Sequence, residues 1–394
     1  MCNLVLFKTK QTLSISIFKG RELANNLRCK TTMKKQIVAT GFVLFSFMLP
    51  LKATAATFNQ LFVFGDSLSD TGNAFIATGG LVNPTQATPP SPPYFPGRFS
   101  NGPIWVDTLA QKLNVNLTPF LALSSPDPTA SINFAVGGAT TGELNAFVPS
   151  PPFPPSGLQA QINAFTALKA AGLPADSNPL YTVLAGGNDF ISGSIDPSGS
   201  VNNVSKAVTS LYNAGARNIL VGNLFDLGKT PRALGFDPLT PVPPGTSQLG
   251  TLFTNGFNNG LAQTLGGLSQ SLPGINLISV DINSVINNAI EESKNSGSPF
   301  TNVTQACLFD PSCISSNPVE QNQYLWWDGI HPTSGGHRLI ADAAIQALDE
   351  NHKSVPEPSA GLGILALGAL GAGSMLKRQH KKVSLVKVKV DSKC

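Results

Sequence analysis

Short apolar runs alternate with longer segments of helical periodicity along the central part of the chain. Continuous apolar character over four or five residues is typical of strands buried on both faces of a parallel sheet. Between and after these runs, apolar residues recur at helical spacing. The pattern predicts an α/β fold with a mainly parallel, five-stranded sheet. The predicted strands are 61–64, 132–135, 181–185, 218–221 and 276–280, and the predicted helices are 104–113, 158–171, 201–214, 249–271, 282–294 and 333–350.

Three proline-rich stretches, 84–97, 149–155 and 238–244, interrupt this pattern. Proline lacks an amide hydrogen and fixes its φ angle, so these stretches are predicted to be loops. Long loops over an α/β scaffold commonly shape the mouth of a substrate site. Three apolar loop residues could line a lipid groove or simply pack: Phe95, Phe120 and Phe153.

The first 55 residues are predicted to be a targeting segment. Met33-Lys34-Lys35, an apolar run over 37–51 and Ala53-Thr54-Ala55 follow the order of a secretory signal peptide. This order predicts a signal peptide over 33–55 and a mature domain over 56–353. Residues 1–32 would then be an upstream extension, as a start codon assigned too early would produce. A buried N-terminal helix is the alternative interpretation.

The C-terminal segment, 354–394, contains Val355-Pro356-Glu357-Pro358, an apolar run over 360–376 and a basic cluster that starts at Lys377. Seventeen apolar or small residues is the lower limit for a helix that crosses a bilayer, and the basic cluster would stay on the cytoplasmic side. The segment resembles the PEP-CTERM sorting signal. The resemblance implies a sorting protease as partner, transient membrane association through the tail, and a final location at the cell surface or in the extracellular matrix. A plain C-terminal membrane anchor is the alternative.

The formal net charge of +4 conceals an uneven distribution. Residues 56–354 carry 10 Lys and Arg against 19 Asp and Glu, a net charge of −9, whereas both ends are basic. An acidic body disfavours nucleic acid as a partner. The body holds two cysteines, Cys307 and Cys313. Export to an oxidising compartment predicts a disulfide between them, and the lack of a neighbouring His cluster disfavours a zinc site.

Two segments carry the residue types of nucleophilic catalysis. In the first, an apolar strand runs into Gly65-Asp66-Ser67-Leu68, which predicts Ser67 at the carboxyl edge of the sheet. In the second, Asp328 and His331 precede the last predicted helix; the other three histidines lie in that helix, the linker or the tail. A serine nucleophile needs an imidazole to take its proton and a carboxylate to orient the imidazole.

These segments resemble the conserved blocks of the GDSL, or SGNH, hydrolases, in particular the branch that includes the plant GDSL lipases. The resemblance covers nearly all of 58–350, and the blocks occur in the family's order. A further stretch, Gly97-Arg98-Phe99-Ser100-Asn101-Gly102, resembles one that is characteristic of the plant-like branch. The four matching blocks are 65–68, 133–139, 186–189 and 328–331.

The resemblance implies a three-layer α/β/α, flavodoxin-like fold and a carboxylic ester hydrolase that needs neither a metal nor an organic cofactor. It implies Ser67 as nucleophile, His331 as base and Asp328 as the carboxylate that orients the base. The backbone N–H groups of Ser67 and of Gly137, in preference to Gly138, and the side-chain amide of Asn188 are expected to form the oxyanion hole. Two alternatives stay open: a non-catalytic surface or matrix-binding protein on the same fold, and a carbohydrate O-deacetylase or phospholipase.

Overall fold

The computed structural model describes residues 58–125, 127–147, 154–170, 172 and 178–354. The predicted signal peptide and almost all of the predicted sorting tail lie outside these residues. Six parallel strands form the central sheet in the order β2-β3-β1-β4-β5-β6. Phe62 of β1 pairs with Ile132 of β3 on one side and with Tyr181 of β4 on the other. The strands are β1 Leu61–Gly65, β2 Leu117–Pro119, β3 Ser131–Asn133, β4 Leu180–Leu184, β5 Asn218–Gly222 and β6 Asn276–Val280.

The five predicted strands are confirmed, but the sheet has six strands, not five. The additional strand, β2, is three residues long, only partly buried and ends at Pro119. It lies at the edge of the sheet beside β3. A short edge strand that ends in proline lacks the long apolar run that marks the central strands, so the hydrophobic pattern does not reveal it.

All six predicted helices are present, with ends that differ from the prediction by a few residues. Helices α3, α5 and α6 pack side by side, as do α2, α10 and α7, and the two groups cover the sheet as separate layers. Four further helices are only one turn or slightly longer. A small second sheet pairs β7 Asn302–Ala306 with β8 Tyr324–Trp326. The helices are α1 Asn73–Ala77, α2 Trp105–Leu113, α3 Leu158–Ala170, α4 Gly187–Ile191, α5 Ser198–Asn213, α6 Thr246–Ser271, α7 Ile282–Glu292, α8 Pro311–Ile314, α9 Pro318–Gln321 and α10 Ser334–Ser354.

An aromatic cluster joins α3 to the centre of the sheet. Phe62 and Phe64 project from the same face of β1, as their spacing of two residues requires. The ring of Phe165 on α3 lies 5.3 and 5.6 Å from theirs. Phe134 and Tyr181 complete the cluster. All five rings are buried, and each contributes about 1.5 to 3 kcal/mol through removal from water. This packing fixes the position of β1, whose end lies two residues before Ser67.

Candidate active site

Ser67 lies in a single helical turn directly after β1. The N–H groups of Ser69 and Asp70 both donate to the carbonyl oxygen of Asp66, at 3.0 and 3.0 Å, and close this turn. Gly65 is required before it, because a Cβ atom there would lie 2.2 Å from the carbonyl oxygen of Leu184 on β4. The chain can therefore turn sharply off the sheet and present the serine at its carboxyl edge.

Gln161 on α3 holds the strand end in place. Its Oε1 accepts the N–H of Gly65 at 2.9 Å, and its Nε2 donates to the Gly65 carbonyl oxygen at 2.8 Å and to that of Ser156 at 3.0 Å. The side chain is buried. Buried backbone groups are costly when they lack partners, so this amide both satisfies Gly65 and fixes the position of the Ser67 turn. No sequence motif points to this glutamine.

The structure brings Ser67, His331 and Asp328 together. Ser67 Oγ lies 2.8 Å from His331 Nε2, and His331 Nδ1 lies 2.7 Å from Asp328 Oδ2. The three residues are 6, 7 and 6% exposed, so the chain of hydrogen bonds is largely shielded from water while its serine end opens into a cavity. A hydroxyl, an imidazole and a carboxylate in this order can transfer the hydroxyl proton to the imidazole as the oxygen attacks an electrophile.

A tight loop brings the side chains of Asp328 and His331 together across three residues of sequence. Asp328 Oδ1 accepts the backbone N–H groups of Ile330 and His331 at 2.9 and 2.8 Å. Trp327 N–H donates to the His331 carbonyl oxygen at 2.7 Å. Burial alone would raise the pKa of Asp328, but the imidazole of His331 and the hydrogen bonds hold this pKa below its usual value. The carboxyl is therefore ionised and oriented at neutral pH.

Tyr94 is an additional contact of this carboxylate. Its hydroxyl donates to Asp328 Oδ2 at 2.7 Å, and its ring packs edge-on against Trp327 with centroids 6.0 Å apart. Burial, and after it the neighbouring charge of Asp328, raises the pKa of Tyr94 well above its usual value, so the phenol stays protonated. The sequence predicts only a loop over 84–97 and gives no sign of this contact.

The stretch 97–102 supports the His331 loop from the side. The ring of Phe99 lies 5.2 Å from the imidazole of His331. Ser100 Oγ donates to the Pro332 carbonyl oxygen at 2.9 Å, and Asn101 Oδ1 accepts the N–H of Ser334 at 2.8 Å. These contacts hold the His331 loop and the start of α10 against the stretch 97–102.

The geometry departs from the expectation for Gly137. Its N–H donates to Asp70 Oδ2 at 2.8 Å and is therefore not available to an oxyanion. The buried carboxylate of Asp70 also accepts the N–H groups of Asn73 and Ala74 at the start of α1. Gly138 has a left-handed φ of 81°, and its N–H has no partner among the described residues. Because Gly138 lines the same cavity as Ser67 and His331, it replaces Gly137 as the candidate donor.

Asn188, the third expected oxyanion donor, lies in the first turn of α4. Its Nδ2 donates to the Ala139 carbonyl oxygen at 3.0 Å, which orients the amide and uses only one of its two hydrogens. Asn188 is buried and lines a small cavity with Ser67 and His331. The neighbouring Asp189 accepts Thr141 Oγ1 at 2.6 Å and thereby braces the loop rather than the site.

A cavity of about 570 Å³ opens at Ser67. Its walls are predominantly apolar and come from α1, α3, the loops that follow α1, β2 and β3, and the loop that carries His331. Of the three phenylalanines in question, Phe120 lines this cavity, Phe95 is 40% exposed, and Phe153 lies outside the described residues. An apolar cavity that ends at a serine and an imidazole suits a hydrocarbon group next to a reactive carbonyl. Further wall residues are Ala74, Ala77, Phe134, Val136, Ala160 and Ala164.

Two other ionisable or reactive groups lie close to the site. Burial raises the pKa of Asp66, next to Ser67, to about 7. Cys307 and Cys313 form a disulfide with an S–S distance of 2.02 Å, and both are buried in a cluster with Trp327.

Among the residues that the structure describes, no group of three or more His, Cys, Asp or Glu side chains is arranged to hold a metal ion.

Comparison with known proteins identifies two regions of the chain. The family described as GDSL-like Lipase/Acylhydrolase matches residues 61–344, and the PEP-CTERM protein-sorting motif matches residues 354–379. The second match confirms the resemblance of the tail. Within the described part of the chain, no helix has both the length and the apolar character needed to cross a bilayer.

Individual relatives are similar at a moderate level. The chain is 29% identical over 316 residues to an uncharacterized protein in the trpE-trpG intergenic region of Pseudomonas putida. This alignment covers 75% of this chain and 49% of the relative. The chain thus spans about half the length of that relative. It is 27% identical over 337 residues to a GDSL esterase/lipase of Arabidopsis thaliana, with coverage of 73% and 85%. It is 28% identical over 333 residues to an acetylesterase of Thermothelomyces thermophilus, with coverage of 81% and 97%.

Proposed function

Because the chain belongs to the GDSL-like lipase/acylhydrolase family, we propose that it is an exported serine hydrolase that cleaves carboxylic esters. The observation that carries the proposal is the hydrogen-bonded series Ser67 Oγ, His331 Nε2, His331 Nδ1 and Asp328 Oδ2, with distances of 2.8 and 2.7 Å. The serine end of this series faces an apolar cavity. An ester with a hydrocarbon acyl group is the electrophile that these features fit.

In the proposed reaction, His331 Nε2 accepts the proton of Ser67 as Oγ attacks the ester carbonyl carbon. Asp328 keeps the other ring nitrogen protonated and stabilises the imidazolium. The tetrahedral intermediate collapses as His331 donates the proton to the departing alcohol oxygen, which leaves an acyl group on Ser67. Water then attacks this acyl-enzyme with His331 again as base, and the carboxylic acid is released.

Three donors are proposed to stabilise the negative charge on the carbonyl oxygen: the N–H groups of Ser67 and Gly138 and the amide of Asn188. Ser67 N–H, like that of Gly138, has no partner within the described part of the chain. Donors that are oriented before the reaction lower the barrier because no reorganisation is needed when charge develops. Each such donor contributes on the order of 3 kcal/mol.

Export and surface sorting are part of the proposal. The segment order of 33–55 supports a signal peptide, and the match of 354–379 to the sorting motif supports a sorting protease that acts near the tail. The disulfide of Cys307 and Cys313 is consistent with an oxidising compartment. The hydrolase domain would extend over 56–353, and membrane association through the tail would be transient.

The experiment is hydrolysis of 4-nitrophenyl butyrate by purified protein and by the Ser67→Ala variant. The variant is expected to lose turnover while its circular dichroism spectrum and melting temperature stay close to those of the wild type. Ser269→Ala, an exposed serine on α6, is the matched control and should keep full activity. Turnover by Ser67→Ala at the wild-type rate, or no turnover by the wild-type protein on any ester of a chain-length panel, would overturn the proposal.

The same panel separates the remaining specificities. A preference for acyl chains longer than acetyl is expected from the size of the apolar cavity. Acetylated sugars as the best substrates would instead indicate a carbohydrate O-deacetylase, and phospholipids would indicate a phospholipase. A folded protein without activity on all of these compounds would point to a non-catalytic binding protein.

A further inference from the structure

A second cavity shares only the wall residue Ile330 with the large cavity. It measures about 270 Å³. A small cavity of about 30 Å³ links it to the reactive groups, because this small cavity touches Ser67, His331 and Asn188 and shares wall residues with the second cavity. The shared residues are Ile191, Leu227 and Ile330.

The serine and the imidazole therefore stand between two spaces of different size. The large apolar cavity and the small one share only Ser67, Ile330 and His331. The small cavity has room for a few atoms, comparable to one or two water molecules. An ester has two halves that extend in different directions from the carbonyl carbon. A site with one large cavity and a narrow link to a second cavity can accommodate both halves at once.

Arg232 distinguishes the second cavity chemically. It is the sole cation among the described residues that line the three cavities. Its backbone N–H donates to the Gly329 carbonyl oxygen at 2.8 Å, so its position is tied to the loop that carries His331. Its guanidinium makes no hydrogen bond or ion pair with any described residue. The other walls of this cavity are mostly apolar, including Leu249 and Phe190.

Arg232 is a partly buried residue, and a guanidinium without a partner among the described residues is suited to a carboxylate or phosphate, which it binds through two parallel hydrogen bonds. The large cavity offers no such group. Its charged residues are Asp328 and, on protonation, His331, which are both occupied by the hydrogen bonds of the reactive series. An anionic substituent on the substrate therefore fits the second cavity and not the large one.

We propose that the second cavity binds the alcohol half of the ester and that Arg232 selects alcohols that combine an apolar body with an anionic group. This inference rests on the proposed function, because it requires the ester carbonyl to lie at Ser67. Arg232 would act on specificity alone, since the reactive groups are complete without it. The acyl half would occupy the large cavity.

The test uses matched butyrate esters of three phenols. Two carry an anionic group, 4-(butyryloxy)phenylacetate and 4-(butyryloxy)phenyl phosphate, and the third is the neutral amide of the phenylacetate. Wild-type protein is expected to have a kcat/KM at least tenfold higher for one or both anionic esters than for the amide. The variant Arg232→Met is expected to lose this preference through a higher KM, with kcat/KM for the neutral amide within twofold of wild type.

The control variant is Arg338→Met, an exposed residue on α10 outside the three cavities, which should keep the full preference. Equal kcat/KM for all three esters in wild-type protein, or an anion preference that Arg232→Met retains, would overturn the inference. The proposed function would survive both results, because hydrolysis of the neutral amide ester alone demonstrates it. The better anionic substrate tells whether carboxylate or phosphate is preferred.

The assignment of the two halves has its own variant, Ala160→Phe, which reduces the large cavity. It is expected to lower kcat/KM for octanoate esters at least tenfold more than for acetate esters of the same phenol. If it instead discriminates between alcohols at a constant acyl group, the two halves bind the other way round and the inference is wrong.

Discussion

The substitution Asp328→Asn separates orientation of the imidazole from folding of the loop. Asp328 Oδ1 accepts two backbone N–H groups, those of Ile330 and His331, at 2.9 and 2.8 Å. Oδ2 faces His331 Nδ1 and the Tyr94 hydroxyl, each at 2.7 Å. In the variant, the amide oxygen must take the Oδ1 position, because an NH2 group there would meet two donors. The NH2 group therefore takes the Oδ2 position, next to the imidazole.

An NH2 group at that position donates to His331 Nδ1 and stabilises the tautomer that carries its hydrogen on Nε2. This tautomer cannot accept the proton of Ser67. We expect kcat to fall by about 10³- to 10⁴-fold, which corresponds to about 4 to 5.5 kcal/mol in the barrier. The fold should be preserved because both hydrogen bonds to Oδ1 remain. Asp328→Ala, in contrast, leaves one buried and one partly buried N–H group without partners and should lower the free energy of unfolding by about 2 kcal/mol or more.

The assay measures kcat and KM for 4-nitrophenyl butyrate at pH 8, with melting temperatures from circular dichroism. The control is Asp342→Asn, a carboxylate with 62% side-chain exposure on α10, which should behave as wild type in both measurements. A kcat for Asp328→Asn within tenfold of wild type would refute the tautomer argument. A melting temperature of Asp328→Asn as low as that of Asp328→Ala would refute the assignment of the amide oxygen to the Oδ1 position.

Three further predictions concern neighbouring side chains. Asn188→Ala should lower kcat about 10²- to 10³-fold with KM within a few-fold of wild type; a loss below fivefold in steady-state kinetics would argue against an oxyanion role. Gln161→Leu leaves the Gly65 N–H and carbonyl without their side-chain partner. It should therefore lower the free energy of unfolding in urea by about 2 to 4 kcal/mol and reduce kcat. Unchanged stability would contradict the role of Gln161 in holding the end of β1. Burial raises the pKa of Asp66 from near 4 in the unfolded chain to about 7 in the folded protein. The folded protein therefore holds this proton more tightly, and stability is greatest below pH 4. The free energy of unfolding should fall by on the order of 4 kcal/mol as the pH rises to 7. Asp66→Asn should therefore raise the melting temperature more at pH 8 than at pH 4.5, and an equal effect at both pH values would contradict the shift.

The central strands and long helices could be predicted from the sequence because each is a continuous segment whose apolar pattern reflects its own burial. The edge strand Leu117–Pro119 could not, since it is stabilised by pairing with β3 rather than by burial. The short helices α1 and α4 were also missed. Each is five residues long, little more than one helical turn, which is too short for the helical spacing of apolar residues to repeat.

The reactive residues could be proposed from local motifs, but their supporting contacts could not. Tyr94 meets Asp328 across 234 residues of sequence, and Gln161 meets Gly65 across 96. Neither residue belongs to a motif, and only the tertiary structure brings each to its partner. The sequence could not decide between Gly137 and Gly138 for a related reason. The choice depends on the carboxylate of Asp70, which is 67 residues away and takes the Gly137 N–H.

The central claim is that Ser67 is a nucleophile activated by His331. The most direct measurement is reaction of the native protein with a fluorophosphonate probe at pH 8, followed by mass spectrometric mapping of the adduct. We expect a single adduct on the peptide that contains Ser67, formed rapidly by wild-type protein and not measurably by His331→Ala. An esterase-active protein whose adduct maps to a different serine, or equal labelling of Ser67 in His331→Ala, would contradict this claim.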